Sequence, residues 1–378
     1  MPRYLSLLIQ KDLRKKMVFL GGPRQVGKTT LAKQLCASSE EYLNWDNVEQ
    51  RKALLAQRWK KDSPLVVFDE LHKYPRWKSW LKGIWDTRTT DQTFLVTGSA
   101  RLDVYQKSGD SLLGRYHYWR LHPFTLDEHP VEISSAEVYE RLLTLGGFPE
   151  PFLGNDEREA RRWRRERFRR ILQEDVRDLS AVQNLQLLDL FVELLRARAG
   201  SLLVLSNIAA DLQISPNTAK TWLQLIERLY LAFAIYPYTR QVSRSIQKPA
   251  KVYFYDNADV EEAGPRLENL VATHLLKRLQ FIEDYYGYDC ELRYIRDKEG
   301  REVDFVTIID HKIEELIEVK LSDETPSPHL KYYQEKLNPK RTVQIVGNLS
   351  RSFDVGGIRV TSPVEYFATG PWDELADE

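Results

Sequence analysis

Cysteine is nearly missing from this chain: only Cys36 and Cys290 occur in 378 residues. Two cysteines cannot frame a disulfide scaffold, and so few of them fit a reducing compartment. Charge of one sign is missing as well, because 55 Lys and Arg offset 55 Asp and Glu. A balanced chain has no global pull toward nucleic acid or an anionic membrane, so any such pull must come from local patches. No apolar run approaches the roughly 20 residues a membrane helix needs. Residues 1–16 hold no apolar core of a secretory signal, and a cytoplasmic protein with no membrane partner is expected. Hydrophobic content of 42% and charged content of 29% are ordinary for globular domains. The length suggests two or three of them.

What is present is a complete phosphate-binding loop. Gly22, Pro23, Arg24, Gln25, Val26, Gly27, Lys28 and Thr29 fit G-x-x-x-x-G-K-S/T at every fixed position, and Thr30 opens the helix beyond. An apolar run, Met17–Leu20, precedes the loop, and Leu31, Ala32 and Leu35 follow at helical spacing. The glycines let backbone N–H groups point at phosphate oxygens, over the positive end of the helix. Lys28 is expected to reach the β- and γ-phosphates of ATP, and the Thr29 hydroxyl to ligate Mg²⁺.

Apolar runs at Met17–Leu20, Tyr42–Trp45, Leu65–Phe68, Thr93–Val96 and Tyr116–Leu121 alternate with helical stretches. That pattern predicts an α/β fold, a P-loop NTPase with a parallel sheet covered on both faces, over about residues 1–130. The third run ends in Asp69-Glu70. Asp69 suits the role of holding Mg²⁺ through water, and Glu70 that of general base toward the attacking water. The fourth run ends in hydroxyls, so Thr97 and Ser99 are both candidates to sense the γ-phosphate. Arg115, just before the last run, is the candidate arginine finger reaching a neighbouring copy in a homo-oligomer or ring, with Arg101 as its rival.

Residues 131–195 read as a helical lid, broken at Gly146-Gly147. Within it, Arg158 to Arg170 holds eight arginines with Trp163 and Phe168 interleaved. This is either a solvated helix face paired with glutamates or a phosphate-contacting track. Residues 196–245 read as a winged-helix-like segment containing a helix–turn–helix. Ser215 is its N-cap and Pro216 the first helical residue. The second helix would turn Asn217, Lys220, Thr221 and Gln224 outward, toward nucleic acid or toward a protein. Residues 246–348 mix strands and helices, and 349–378 read as a C-terminal tail.

Asp304 lies in Glu302-Val303-Asp304-Phe305-Val306, near the start of a strand read over Val303–Ile309, and Glu318-Val319-Lys320 ends another apolar strand. Two carboxylates about 4 Å apart repel by roughly 4 kcal/mol at an effective dielectric near 20. A bound Mg²⁺ or Mn²⁺ would reverse that sign and generate hydroxide, with Lys320 stabilising the transition state.

With these residues read, the chain resembles a prokaryotic family that joins an AAA-type ATPase domain to a DUF4143 domain. The carriers are GGPRQVGKTTL (21–31), VVFDELHKYP (66–75), LVTGSAR (95–101), LLGRY (112–116), GGFPEP (146–151), KVYFYDNA (251–258), ENLVATHLL (268–276), EVDFV (302–306) and IEVK (317–320). Asn257-Ala258 stand where that family usually has Thr-Gly. The resemblance implies a PD-(D/E)xK nuclease-type C-terminal domain, with Glu268, Asp304 and Glu318 on its metal positions and Asp304, Glu318 and Lys320 among its catalytic ones. The expected function is an ATP-hydrolysing protein acting on nucleic acid, DNA above all, with a metal-dependent nuclease site. The alternative is an ATP-dependent switch or protein remodeller whose nuclease-like part is an interaction module. A small-molecule kinase is disfavoured by so large a C-terminal region.

Overall fold

Strands form where the apolar runs lie. A computed structural model describes residues 3–36, 38, 41–60, 62–88, 91–98, 112–175, 184–239 and 248–373. It divides into two compact units, Met1–His122 and Pro123–Asp373.

The first unit runs α1 (Ser6–Leu13), β1 (Met17–Gly21), α2 (Lys28–Leu35), β2 (Tyr42–Asn44), α3 (Val48–Leu55), β3 (Leu65–Asp69), α4 (Trp77–Thr87), β4 (Thr93–Thr97) and β5 (Tyr116–Arg120). All five expected runs are strands. They make one parallel sheet in the order β2-β3-β4-β1-β5. Every residue of β1 and β3 is buried, as a sheet covered on both faces requires. Met17, Phe19, Val66, Phe68, Phe94 and Val96 share one core with Leu81 and Ile84 of α4. Register aligns Asn44, Asp69 and Thr97 across three strands, so their polar side chains gather at the carboxyl end of the sheet. Ligands of open α/β sheets bind there.

The second unit begins with α5 (Ser135–Thr144), α6 (Pro149–Gly154) and α7 (Glu157–Arg170). It continues with α8 (Leu185–Arg196), β6 (Leu202–Leu203), α9 (Leu205–Asp211), α10 (Pro216–Arg228), β7 (Ala232–Pro237) and β8 (Ala250–Phe254). Then come α11 (Ala263–Tyr286), β9 (Cys290–Arg296), β10 (Glu302–Ile309), β11 (Lys312–Lys320), α12 (Pro328–Leu337), β12 (Arg341–Val346), β13 (Phe353–Val355), β14 (Ile358–Thr361) and α13 (Pro363–Tyr366). The strands join in one nine-stranded sheet, β13-β14-β12-β11-β10-β9-β7-β8-β6.

Three expectations about segment boundaries change. The helices read as a lid belong to the unit that holds the C-terminal sheet. The boundary between residues 245 and 246 falls inside a hairpin, because β8 pairs antiparallel with β7. Residues 349–373 are no tail: β14 pairs with β12, and Ile358, Val360 and Phe367 are fully buried. The overlooked signal is Gly356-Gly357, both at positive φ, turning β13 into β14.

The arginine tract divides by face. Arg158, Arg161 and Arg162 pair with Glu157 and Glu159 on the exposed side of α7. Arg167 is buried, its guanidinium 4.0 Å from the Phe148 ring centre. Trp163 and Phe168 face the interior, so neither offers a surface to stack a base. Arg165, Arg169 and Arg170 remain exposed.

Candidate functional site

The phosphate-binding loop is built as its motif requires. Gly22 has φ +136 and Gly27 φ +101, both in the left-handed half of backbone space. A Cβ on Gly22 would run into the carbonyl of Leu121. Gly27 caps α2, so the loop ends where a helix N-terminus begins, and Lys28 Nζ donates to Gly22 O (2.9 Å) and Pro23 O (2.6 Å). Gln25 also has positive φ, which helps turn successive N–H groups to one side. Val26 is fully buried and anchors the loop, while Thr29 and Thr30 are exposed at the start of α2.

Thr29 Oγ1 donates to Asp69 Oδ2 at 3.0 Å. A hydroxyl and a carboxylate oxygen at this spacing are hard donors of the kind Mg²⁺ takes, so these residues fit the ion that accompanies ATP. Asp69 is 2% exposed and is held by Tyr42 and Thr97 hydroxyls, with Asn44 Nδ2 at 3.4 Å. Burial, then the Asp69 carboxylate, pushes the Tyr42 hydroxyl up, which keeps it a donor. Thr97, expected to sense phosphate, therefore orients Asp69; Ser99 and Arg101 lie outside the described residues. Tyr42 and Asn44 escaped the sequence reading, although a polar residue at the end of β2 was the available signal.

Glu70 adopts a left-handed backbone, φ +57, immediately after β3. Its Oε2 lies 3.4 Å from Lys73 Nζ and 3.7 Å from His72 Nε2. Lys73 in turn contacts Asp46 at 2.6 Å. Burial pushes the His72 pKa down, so the imidazole beside Glu70 favours its neutral form.

Arg115 does not join this group. It precedes Tyr116, which pairs with Met17 at the opposite end of the strands, and its guanidinium is bidentate to Asp86 at 2.8 and 3.0 Å. Five residues of β1 at about 3.3 Å each place it roughly 15 Å from the loop. Arg115→Ala should therefore leave the ATP affinity of the monomeric chain unchanged in a fluorescent-nucleotide titration. A tenfold loss would mean that Arg115 acts at the chain's own site.

In the second unit the structure gathers the C-terminal acids around a residue the sequence reading left aside. Lys251 Nζ lies 2.7 Å from Glu302, 3.1 Å from Glu268 and 3.4 Å from Asp304, with its side chain 3% exposed. Tyr253 OH donates to Glu268 Oε1 at 2.6 Å, and Val319 N donates to Asp304 Oδ2 at 2.9 Å. Glu318 takes Lys320 at 2.7 Å, leaving its buried Oε2 unbonded. Burial, then the Asp304 charge, raises both Glu268 and Glu318 to about 7. Among the described residues, the three-ligand group with all atoms within 4.8 Å is Asp289, Glu291 and His311, near the β10–β11 turn. Glu268, Asp304 and Glu318 do not converge in that way.

With this geometry described, comparison with known families places the first unit in its class. Residues 14–129 match a family described as AAA domain, which agrees with an ATP-binding P-loop protein. Residues 263–364 match a domain of unknown function, DUF4143, and residues 136–260 another, DUF8612. Uncharacterized proteins of Mycobacterium bovis and Mycobacterium tuberculosis are each 25% identical over 246 residues, 64% of this chain and 55% of theirs. An uncharacterized protein of Methanocaldococcus jannaschii is 23% identical over 299 residues, 65% of this chain and 62% of its own. The matches thus span little more than half of these curated relatives. Among the described residues no helix is long and apolar enough to cross a membrane.

Proposed function

We propose that this chain is an ATP-hydrolysing AAA-type protein directed at nucleic acid, with DNA as the first candidate. The P-loop unit supplies the hydrolysis, with Glu70 as general base toward water and Asp69 and Thr29 holding Mg²⁺. The partner is argued from α10. That helix buries Ala219, Trp222, Leu223, Leu225 and Ile226. Its opposite face exposes Asn217, Lys220, Thr221, Gln224 and Arg228, a run of donors and amides without a carboxylate. Ser215 caps it by accepting from Thr218 N at 3.0 Å, and α9 packs beside it ahead of the β7–β8 hairpin. Helix–turn–helix readers present such a face to a major groove.

The test is fluorescence anisotropy with labelled duplex and single-stranded DNA, together with steady-state ATP turnover. Wild type should bind with an affinity that falls steeply from about 50 to about 200 mM salt. DNA should raise its ATP turnover. Combined Asn217→Ala, Lys220→Ala and Gln224→Ala should weaken binding at least tenfold while basal turnover persists. Retained ATPase with no DNA affinity would favour the second reading, an ATP-dependent switch acting on a protein. That reading has its own support in Lys251, whose place among the acids favours a C-terminal part that binds without cutting.

A further inference from the structure

The acids at the amino end of β10 and the carboxyl end of β11 are those from which a metal-dependent phosphodiesterase would be built. We infer that in this chain the cluster carries a resident ammonium, Lys251, in the place a divalent ion would need, so that the C-terminal module is closed to metal and does not cleave nucleic acid. The inference is independent of whether α10 binds DNA.

Four carboxylates stand here: Glu268 from α11, Glu302 and Asp304 from β10, and Glu318 from β11. Three cations answer them. Lys251 contacts the first three, Arg296 takes Glu302 at 2.6 Å, and Lys320 takes Glu318 at 2.7 Å. An ion entering between Glu268 and Asp304 would meet the Lys251 ammonium at close range in a low-dielectric site. It would also have to recover Asp304 Oδ2 from the Val319 amide and Glu268 Oε1 from the Tyr253 hydroxyl. Lys251 cannot easily swing out, because β8 pairs on both sides and all five of its residues are buried. The lysine arrives from the hairpin behind the helix–turn–helix, and the acids come from α11, β10 and β11. The same contact that excludes metal therefore ties these two parts together.

Mn²⁺ binding to the full-length protein without nucleotide, counted by electron paramagnetic resonance of the free ion, tests this. Wild type and Asp304→Asn should bind the same number of ions, because no ion uses Asp304. Lys251→Met keeps the length of the side chain and removes its charge. It should gain one tightly bound Mn²⁺, lost again in Lys251→Met/Asp304→Asn, and Mn²⁺ should raise its melting temperature. Loss of an ion from wild type on Asp304→Asn alone would overturn the inference, as would a folded Lys251→Met that gains none. The wild-type comparison decides the matter even where Lys251→Met does not fold.

Discussion

Glu70→Gln should bind ATP as tightly as wild type and hydrolyse it about 10²–10⁴ times more slowly, the range lost when a general base is removed. The substitution keeps the size of the side chain and its place after β3, while an amide cannot accept the proton of an attacking water. Thr29, Asp69 and Lys28 are untouched, so nucleotide and Mg²⁺ should still load. Single-turnover hydrolysis beside a nucleotide titration separates the two effects. The present rotamer points Glu70 at Lys73 and His72, so a competent site requires that carboxylate to turn toward the phosphate loop. Turnover within a few-fold of wild type would remove Glu70 from the chemistry and leave the base to another group.

The second large effect is on stability. Lys277 is completely buried, with Nζ 2.6 Å from both Thr125 Oγ1 and Glu128 Oε2 and 4.0 Å from Asp127. Lys277→Met leaves the Glu128 carboxylate 4% exposed with its ammonium gone. Breaking a buried pair from one side costs about 3–5 kcal/mol. For a unit of this size that lowers the melting temperature by on the order of 10 °C. Adding Glu128→Gln should recover part of the loss, because removing both charges is far less costly than stranding one. Thermal melts of the two variants measure this directly. Equal melting temperatures for wild type and Lys277→Met would mean that water reaches the site.

The phosphate loop and all five strands of the first sheet were legible because they depend on fixed local spacing and on continuous apolar runs. The helix–turn–helix was legible for the same reason: Ser215 and Pro216 mark the start of α10, and a period of 3.6 sorts its two faces. Asp69 was legible as the acid at the end of a strand, but its supports, Tyr42 and Thr97, became visible only through the register of neighbouring strands. Arg115 was legible only as a cation before the last strand, because chain order does not tell which end of a strand it occupies; its bidentate pair with Asp86 became visible only in the structure. The C-terminal acids were legible only in part. Each was found, yet the ammonium they surround belongs to Lys251, inside an aromatic strand. A lysine there reads as an edge residue whose charge reaches water, unless its partners on α11 and β10 are known.

The nine-stranded sheet determines how the protein can be taken apart. Strand β7 is bonded to β8 on one side and, through Tyr236 and Pro237, to β9 on the other. A fragment starting after residue 246 would keep Lys251 and its acids but leave the β9 edge bare, an open template for pairing with another chain. A fragment ending before residue 250 would lose the strand that closes the helix–turn–helix core through Val252 and Phe254. Dissection between residues 245 and 250 should therefore give sticky, poorly folded pieces. Residues 123–373 are the smallest portion of the second unit that should behave as a soluble, independently folding protein.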